Sequence, residues 1–376
     1  MNKFIVKPAG LFFYCIIIIA VFTVFSSCSE KEEAVVSDQR IHFTSLPSAQ
    51  TKVAFTNLIT ENDSVNLIAN AYAYMGSGVG IGDFNKDGLP DIFFGASQQS
   101  SQLYLNKGSL VFEDITRKAG VQTAGWITGV SVVDINNDGY DDIYLCVSGS
   151  KSAAKRTNIL YINNHDLTFT NQAADYGLND TLYSTQAVFL DYDHDGDLDM
   201  YLLNHLLDHL QSNDIVKRDV SGHAPARDKL YRNNGNTRNG HPYFEDVSTA
   251  AGIIDDGYGL GVVVSDINND GWPDLYVAND YLSNDRLWMN NRNGTFSNTI
   301  SRSVKHQSYS SMGVDAGDLN NDGLPDLISL DMQPEDNQRK KMMFSFLTYD
   351  RFVLERNAGY DEEYIRNMLQ LNNGVR

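Results

Sequence analysis

The chain has 376 residues, 42% of them hydrophobic and 11% aromatic, which suits a large folded body and excludes a disordered polymer. Its 29 basic residues against 48 acidic ones give a formal charge of −19. That balance excludes nucleic-acid binding, which needs Lys and Arg to displace counterions from phosphates, and docking on anionic lipid through basic side chains. With only Cys15, Cys28 and Cys146, a disulfide framework is also excluded.

Residues 1–27 read as an export signal. Lys3 and Lys7 are followed by an apolar run from Leu11 to Phe25, broken only by Thr23, and by Ser26-Ser27-Cys28. The run is shorter than the roughly 20 residues of a spanning helix, although an uncleaved anchor is the alternative. The stretch resembles a bacterial lipoprotein signal. That resemblance implies lipidation of Cys28 and, through the acidic tether over 28–40, delivery to the outer membrane and the cell surface. A periplasmic orientation stays open. Cys146, in the run Asp142–Val147, is expected to be a small core residue.

From residue 41 onward one motif recurs five times. Its oxygen-bearing positions 1, 3, 5 and 9, with position 7 between, are Asp83, Asn85, Asp87, Leu89 and Asp91 in the first copy and Asp134, Asn136, Asp138, Tyr140 and Asp142 in the second. The third copy has Asp191, Asp193, Asp195, Asp197 and Asp199. The fourth has Asp266, Asn268, Asp270, Trp272 and Asp274, and the fifth Asp318, Asn320, Asp322, Leu324 and Asp326. First aspartates are 51, 57, 75 and 52 residues apart.

A hard cation such as Ca²⁺ takes six to eight oxygens, and a loop with oxygen side chains at 1, 3, 5 and 9 can turn them all inward. Glycine at position 6 permits the sharp turn. The varied chemistry at position 7 fits a backbone carbonyl ligand. About five structural Ca²⁺ ions are therefore expected. An EF-hand is excluded, because position 12 is Phe94, Leu145, Leu202, Val277 or Ser329 where a glutamate is required. Plain Asx-turn chemistry asks for fewer oxygens than these loops carry. Their sixteen clustered acids repel one another unless a cation offsets them, and the third loop, richest in aspartate, is expected to bind tightest.

Short apolar runs precede and follow each motif, such as Gly129–Val133 and Ile143–Leu145, so each loop reads as the tip of a β-hairpin. A third run (Leu103–Asn106, Leu160–Asn163, Leu230–Asn233, Leu287–Asn290) and a fourth (Phe112–Ile115, Phe169–Gln172, Phe244–Val247, Phe296–Thr299) complete four-stranded units of about 50 residues, the repeat of a β-propeller blade. The predicted class is therefore all-β.

The repeats resemble the FG-GAP (VCBS-type) family of integrin-α-like propellers and, in their Leu-Tyr-x-Asn third strands, bacterial relatives of cartilage acidic protein. Asn at position 3 in four loops departs from the family's Asp but keeps an oxygen. The family's usual seven blades imply that 41–376 is part of a longer ring. Alternatively, residues 41–46 supply a fourth strand to the fifth blade and close a ring of five.

Metal loops at one end of each blade leave the long connections 148–158, 205–229, 279–285 and 331–367 at the other end, where binding is expected. Tyr74, Trp126, Tyr183, Tyr258 and Tyr309 lie eight or nine residues before the first aspartate of each motif and read either as packing between blades or as a ring that binds a sugar or peptide. His205, Asp208 and His209 have the spacing of a helical Zn²⁺ pair but lack a third ligand, so exposed histidines are expected. Residues 338–360 read as a helical excursion with Met343, Phe346, Leu347 and Leu354 on one side. No catalytic motif stands out. The expectation is a non-enzymatic, calcium-stabilised envelope module that recognises a glycan or an extracellular or envelope protein. The alternative is a hydrolase or lyase centred on His205, Asp208 and His209.

Overall fold

A computed structural model of the chain describes residues 43–68, 72–205, 215–236, 240–342 and 348–374. The chain divides into two units, Met1–Pro47 and Ser48–Arg376. Of the first, only residues 43–47 are described, an exposed stretch with neither helix nor strand. The signal, Cys28 and the whole tether lie outside the described residues.

The second unit is built from five successive antiparallel sheets, the blades of a β-propeller fold. Blade 1 holds β1 (Val79–Gly82), β2 (Asp91–Phe94), β3 (Gln102–Asn106) and β4 (Phe112–Asp114) in chain order. Blade 2 holds β5 (Trp126–Val133), β6 (Asp142–Ser148), β7 (Ile159–Asn163) and β8 (Phe169–Asn171). Blade 3 repeats the plan with β9 (Ser184–Leu190), β10 (Asp199–Asn204), β11 (Lys229–Asn236) and β12 (Pro242–Asp246), and blade 4 with β13 (Gly259–Ser265), β14 (Asp274–Asn279), β15 (Arg286–Asn290) and β16 (Phe296–Asn298). After the two-residue strand β17 (Gln307–Ser308), blade 5 has β18 (Gly313–Gly317) and β19 (Asp326–Leu330). Then β20 (Glu363–Tyr364) pairs in parallel with β17, and β21 (Met368–Gln370) pairs with β19. Blade 5 is three-stranded among the described residues.

Each motif caps a hairpin of consecutive strands, as the flanking apolar runs predict. The register closes directly on the loop, with Gly82 opposite Asp91 and Val133 opposite Asp142. First strands of neighbouring blades pack side by side, β1 on β5, β5 on β9, β9 on β13 and β13 on β18. Glycine permits this approach. A Cβ on Gly78 would stand 2.4 Å from Val130 N, and one on Gly129 would stand 2.3 Å from Thr185 O. Hydroxyls seal the same seams, Ser131 Oγ donating to Ala187 O at 2.7 Å and Thr185 Oγ1 to Gly259 O at 3.0 Å.

The cores lie between blades, because a sheet buries its faces only against the next one. Phe84, Phe93 and Leu105 of blade 1 meet Ile127, Ile143 and Phe169 of blade 2, and Leu190, Tyr201 and Leu203 of blade 3 meet Val262, Leu275 and Trp288 of blade 4. Cys146 is buried in the core between blades 2 and 3, as predicted. The terminal sheets keep apolar side chains exposed: Val79 and Ile81 on blade 1, and Leu319, Leu330, Leu369 and Leu371 on blade 5.

In blades 2, 4 and 5 the asparagine at the third strand's end of the sheet locks blade to blade. In blade 2, Asn163 is buried and its Nδ2 donates to Phe84 O of blade 1 at 2.9 Å. Asn290 reaches Tyr192 O at 2.8 Å and Asn372 reaches Ile267 O at 2.7 Å in the same way. Removing such a donor strands a buried carbonyl. We expect Asn163→Ala to lower stability by about 1–3 kcal/mol in denaturant unfolding, while Asn164→Ala, on the exposed neighbour, is near neutral. Equal effects would show that the seam does not depend on this bond.

Candidate metal loops and the opposite loop face

The five loops share one conformation. Position 4 (Lys86, Asn137, His194, Asn269, Asn321) and the glycine at position 6 all have positive φ, so the chain curls twice in quick succession. The curl points backbone N–H groups at the first aspartate. Asp134 Oδ1 accepts from Asp138 N at 3.0 Å and Oδ2 from Gly139 N at 2.7 Å, and the same pair recurs at Asp83, Asp191, Asp266 and Asp318.

The ninth-position aspartates sit deeper. Asp91, Asp142, Asp199 and Asp274 are 0% exposed and Asp326 is 1% exposed. In each, Oδ2 accepts the N–H of position 2 and Oδ1 accepts the N–H of the third-strand asparagine; for Asp142 these are Ile135 at 3.2 Å and Asn163 at 2.8 Å. Burial pushes Asp91 and Asp274 up to about 6, Asp142 to about 7 and Asp199 to about 8, against the pull of those N–H donors. Of the predicted ligands, these carboxylates therefore have the firmest structural role, tying the hairpin tip to the third strand.

Positions 3 and 5 separate the loops. In four of them the asparagine at position 3 donates from Nδ2 to the position-5 carboxylate at 2.9 Å, as Asn85 does to Asp87. Loops 2 and 4 add an internal cation or imidazole. His165 Nε2 lies 3.0 Å from Asp138 Oδ2, and Arg292 Nη2 lies 2.7 Å from Asp270 Oδ2. Burial opposes ionisation of Asp138 and Asp270, but these donors hold both carboxyls below their ordinary value. Part of the repulsion expected from sequence is thus already met by protein donors.

Loop 3 lacks that relief. Asp191, Asp193 and Asp195 bring one oxygen each within 4.8 Å of one another, the one such acidic triple among the described residues. Asp193 Oδ1 is buried without a hydrogen-bond partner. Burial, then the charges of Asp195 and Asp191, push Asp193 above its ordinary value. An orphaned carboxylate oxygen facing two others is the donor set a hard divalent cation fits.

Position 7 also packs between blades. Lys86 Nζ lies 4.0 Å over the Tyr140 ring, and His194 stacks on Trp272 at 4.0 Å. Position 4 of one loop thus supports position 7 of the next.

At the opposite end the predicted aromatics do not form one exposed ring. Tyr183 is 8% exposed under Arg156, whose guanidinium carbon lies 3.8 Å from the ring centroid, and Tyr309 is 1% exposed, its hydroxyl donating to Glu355. Trp126 covers the backbone of Gly149. Tyr258 packs edge-on between His205 and Tyr281, whereas Tyr74 is 55% exposed and donates to Glu61. Packing accounts for Tyr183, Trp126, Tyr258 and Tyr309.

His205 departs from expectation. It forms a bridge to Tyr258, not a helical turn, and is 0% exposed, with burial lowering its pKa to about 4. Asp208 and His209 lie outside the described residues. The excursion at 338–360 contains helices Asn337–Met342 and Tyr349–Ala358. Met343, Phe346 and Leu347 lie outside the described residues, and Leu354 is 55% exposed. The second helix buries Arg351 and Glu355 against Tyr309, so a polar contact docks it.

A second set of clamps escaped the sequence reading. Asp228 accepts from Asn204 N at 2.9 Å and Tyr201 Oη at 2.7 Å, and Asp285 accepts from Asn279 N and Tyr276 Oη. Asn158 fills the same place in blade 2, accepting from Val147 N and donating to Tyr144 Oη. The available signal was a polar residue two positions before the third strand's Leu-Tyr or Leu-Trp pair.

The FG-GAP-like repeat family matches residues 83–145 and 266–329. Cartilage acidic protein 1 of Xenopus tropicalis is 24% identical over 59% of this chain and 31% of its own length, and that of Mus musculus is 25% identical over 62% and 33%. The chain thus aligns with about a third of the length of these relatives. Among solved structures, it resembles an Agrocybe aegerita lectin that recognises non-reducing terminal N-acetylglucosamine (TM-score 0.38, 17% identity, 66% of this chain and 60% of that one). It also resembles the V. cholerae biofilm matrix protein Bap1 (TM-score 0.35, 14% identity, 67% and 34%). The chain therefore carries FG-GAP-like repeats within a β-propeller fold and is homologous, over part of its length, to cartilage acidic protein 1. Such repeats fit a binding or adhesion module.

The clamps yield a pH test. Burial raises Asp228 from 3.8 to about 7, so the folded state holds its proton more tightly than the unfolded chain. Its contribution is then complete below pH 4 and lost as pH rises through 7. Asn158 already shows how an amide satisfies this place. Asp228→Asn should therefore fold normally, and its thermal midpoint should gain on the wild type as pH increases from 4 to 8. A constant difference across that range would refute the assignment.

Proposed function

We propose that the protein is a calcium-stabilised, non-enzymatic binding module of the cell envelope, tethered by lipid at Cys28 and recognising a glycan or an extracellular protein on the loop face away from the acidic hairpins. The observation that carries this reading is the division of labour between the two ends. One end repeats a single rigid loop five times, while the other varies from the short 279–285 connection to the long excursions at 205–229 and 331–367. Variable loops on a rigid scaffold are where recognition resides.

Ca²⁺ would be held by side-chain oxygens at positions 1, 3 and 5 and the carbonyl at position 7, with the ninth aspartate keeping the base of the loop closed. Loop 3 fits it best, because Asp193 carries the orphaned oxygen. The ion would neutralise charge and join the hairpin tip into one rigid body; no chemistry on a substrate is asked of it. Burial of His205 gives no support to the hydrolytic alternative.

Calcium should raise the melting temperature, since an ion bound only by the folded state adds about 2.7 kcal/mol per site at 100-fold excess over Kd. Asp193→Asn converts loop 3 to the pattern of the other four. In EDTA this variant should melt higher than wild type, and its gain on adding Ca²⁺ should be smaller. Identical wild-type melts in Ca²⁺ and EDTA would contradict the metal assignment.

A further inference from the structure

Blade 5 carries a concavity of about 530 Å³ lined by Lys305, His306, Gln333, Tyr364, Ile365 and Arg366. These residues come from three separate segments, all at the end of the blade away from its acidic hairpin. The backbone beneath is pinned. Gln307 and Ser308 pair with Glu363 and Tyr364, placing His306 beside Tyr364. Asp331 Oδ2 accepts from Ser308 Oγ at 2.7 Å, Ser310 N at 3.2 Å and Arg366 N at 3.1 Å. Gln370 Nε2 donates to His306 O at 3.2 Å. The hollow therefore rests on a braced frame, not on a free loop.

Its charge is the reverse of the chain's. In a protein with 48 acidic and 29 basic residues, unpaired cations should find carboxylates readily. Yet among the described residues neither Lys305 nor Arg366 has a carboxylate within ion-pair distance. Arg366 instead donates from Nη2 to His306 Nε2 at 2.8 Å, which needs a neutral imidazole. Burial and then the charges of Arg366 and Lys305 keep His306 below its ordinary pKa. Lys305 and Arg366 thus bring positive charge to one hollow without a carboxylate partner, a place an anionic guest would fill. The guanidinium also keeps donors for a planar acid, and Tyr364 offers a 43% exposed ring beside them.

We propose that this hollow binds the carboxylate of an acidic sugar, a uronate residue of a glycan, with Arg366 and Lys305 on the carboxylate and Tyr364 against the sugar ring. The planar fork of Arg366 suits a carboxylate, and the exposed tyrosine beside it suits a pyranose face better than an extended acidic peptide. A single-charge group also meets less repulsion from the −19 chain than phosphate does. The proposal rests on the binding-module reading above and names the ligand class for one part of its loop face.

The test is titration of the full-length protein, in Ca²⁺, with a glucuronate-terminated disaccharide, its glucose-terminated counterpart, N-acetylglutamate and inorganic phosphate. Only the uronate should bind well. Arg366→Gln should weaken it about tenfold, as loss of a charge-assisted contact predicts. Lys305→Gln and Tyr364→Ala should each weaken it less, and all three variants should melt like wild type because the side chains are exposed. Failure of the wild type to bind the uronate, equal binding of the neutral sugar, equal or tighter binding of N-acetylglutamate or phosphate, or full affinity in Arg366→Gln would each overturn the proposal. Calcium-dependent melting that persists after such a failure would leave the broader reading standing, so the two failures are distinguishable.

Discussion

A buried carboxylate is costly unless both its oxygens are satisfied, and this fold places one at the base of every hairpin. The ninth aspartate meets that demand by taking one N–H from the loop and one from the third strand. In blades 2, 4 and 5 the asparagine that supplies the second N–H also sends its side-chain amide across to the previous blade. One requirement therefore fixes the hairpin tip, the sheet behind it and the seam beside it. A residue that resembles a metal ligand in sequence is, in space, first a backbone clamp.

That arrangement changes what a bound cation would do. The loops grade from those whose position-5 carboxylate takes a side-chain donor, at Asp138 with His165 and Asp270 with Arg292, to loop 3, where Asp193 Oδ1 is buried without a hydrogen-bond partner. A cation at loop 3 would remove a penalty, whereas at loops 2 and 4 it would compete with groups already in place. Because position 4 of one loop packs on position 7 of the next, as Lys86 does on Tyr140, tightening one tip also steadies its neighbour. This coupling joins loops 1 and 2 and loops 3 and 4.

The repeated parts of the molecule were legible because they obey local rules. Alternating apolar strands, glycine at the turn and oxygens at fixed offsets mark all five hairpins, and the strand bounds follow within one to three residues. What escaped was packing decided by distant partners. Tyr183 and Tyr309 precede their motifs much as Tyr74 does, yet Arg156 covers the first and the helix bearing Glu355 covers the second, while Tyr74 stays exposed. Leu354 looked like a docking residue, but the helix uses Arg351 and Glu355 because its target is a tyrosine hydroxyl. His205 reads as an exposed metal-ligand type until the strand bridge to Tyr258 places it among aromatics. The excursions occur once each, so no internal repeat could flag their contacts.

The two ends of the blades differ in how they treat charge. At the hairpin end, acids are held by backbone donors and by neighbouring Asn, His and Arg side chains, in a loop that is much the same from blade to blade. At the other end the acids Asp228, Asp285 and Asp331 are turned inward to hold strands and loops, so they no longer dominate the surface there. With these acids committed as structural pins, Lys305 and Arg366 stand without carboxylate partners on a strongly acidic protein. The inward clamps and the outward cations are thus two consequences of one choice about where negative charge is spent.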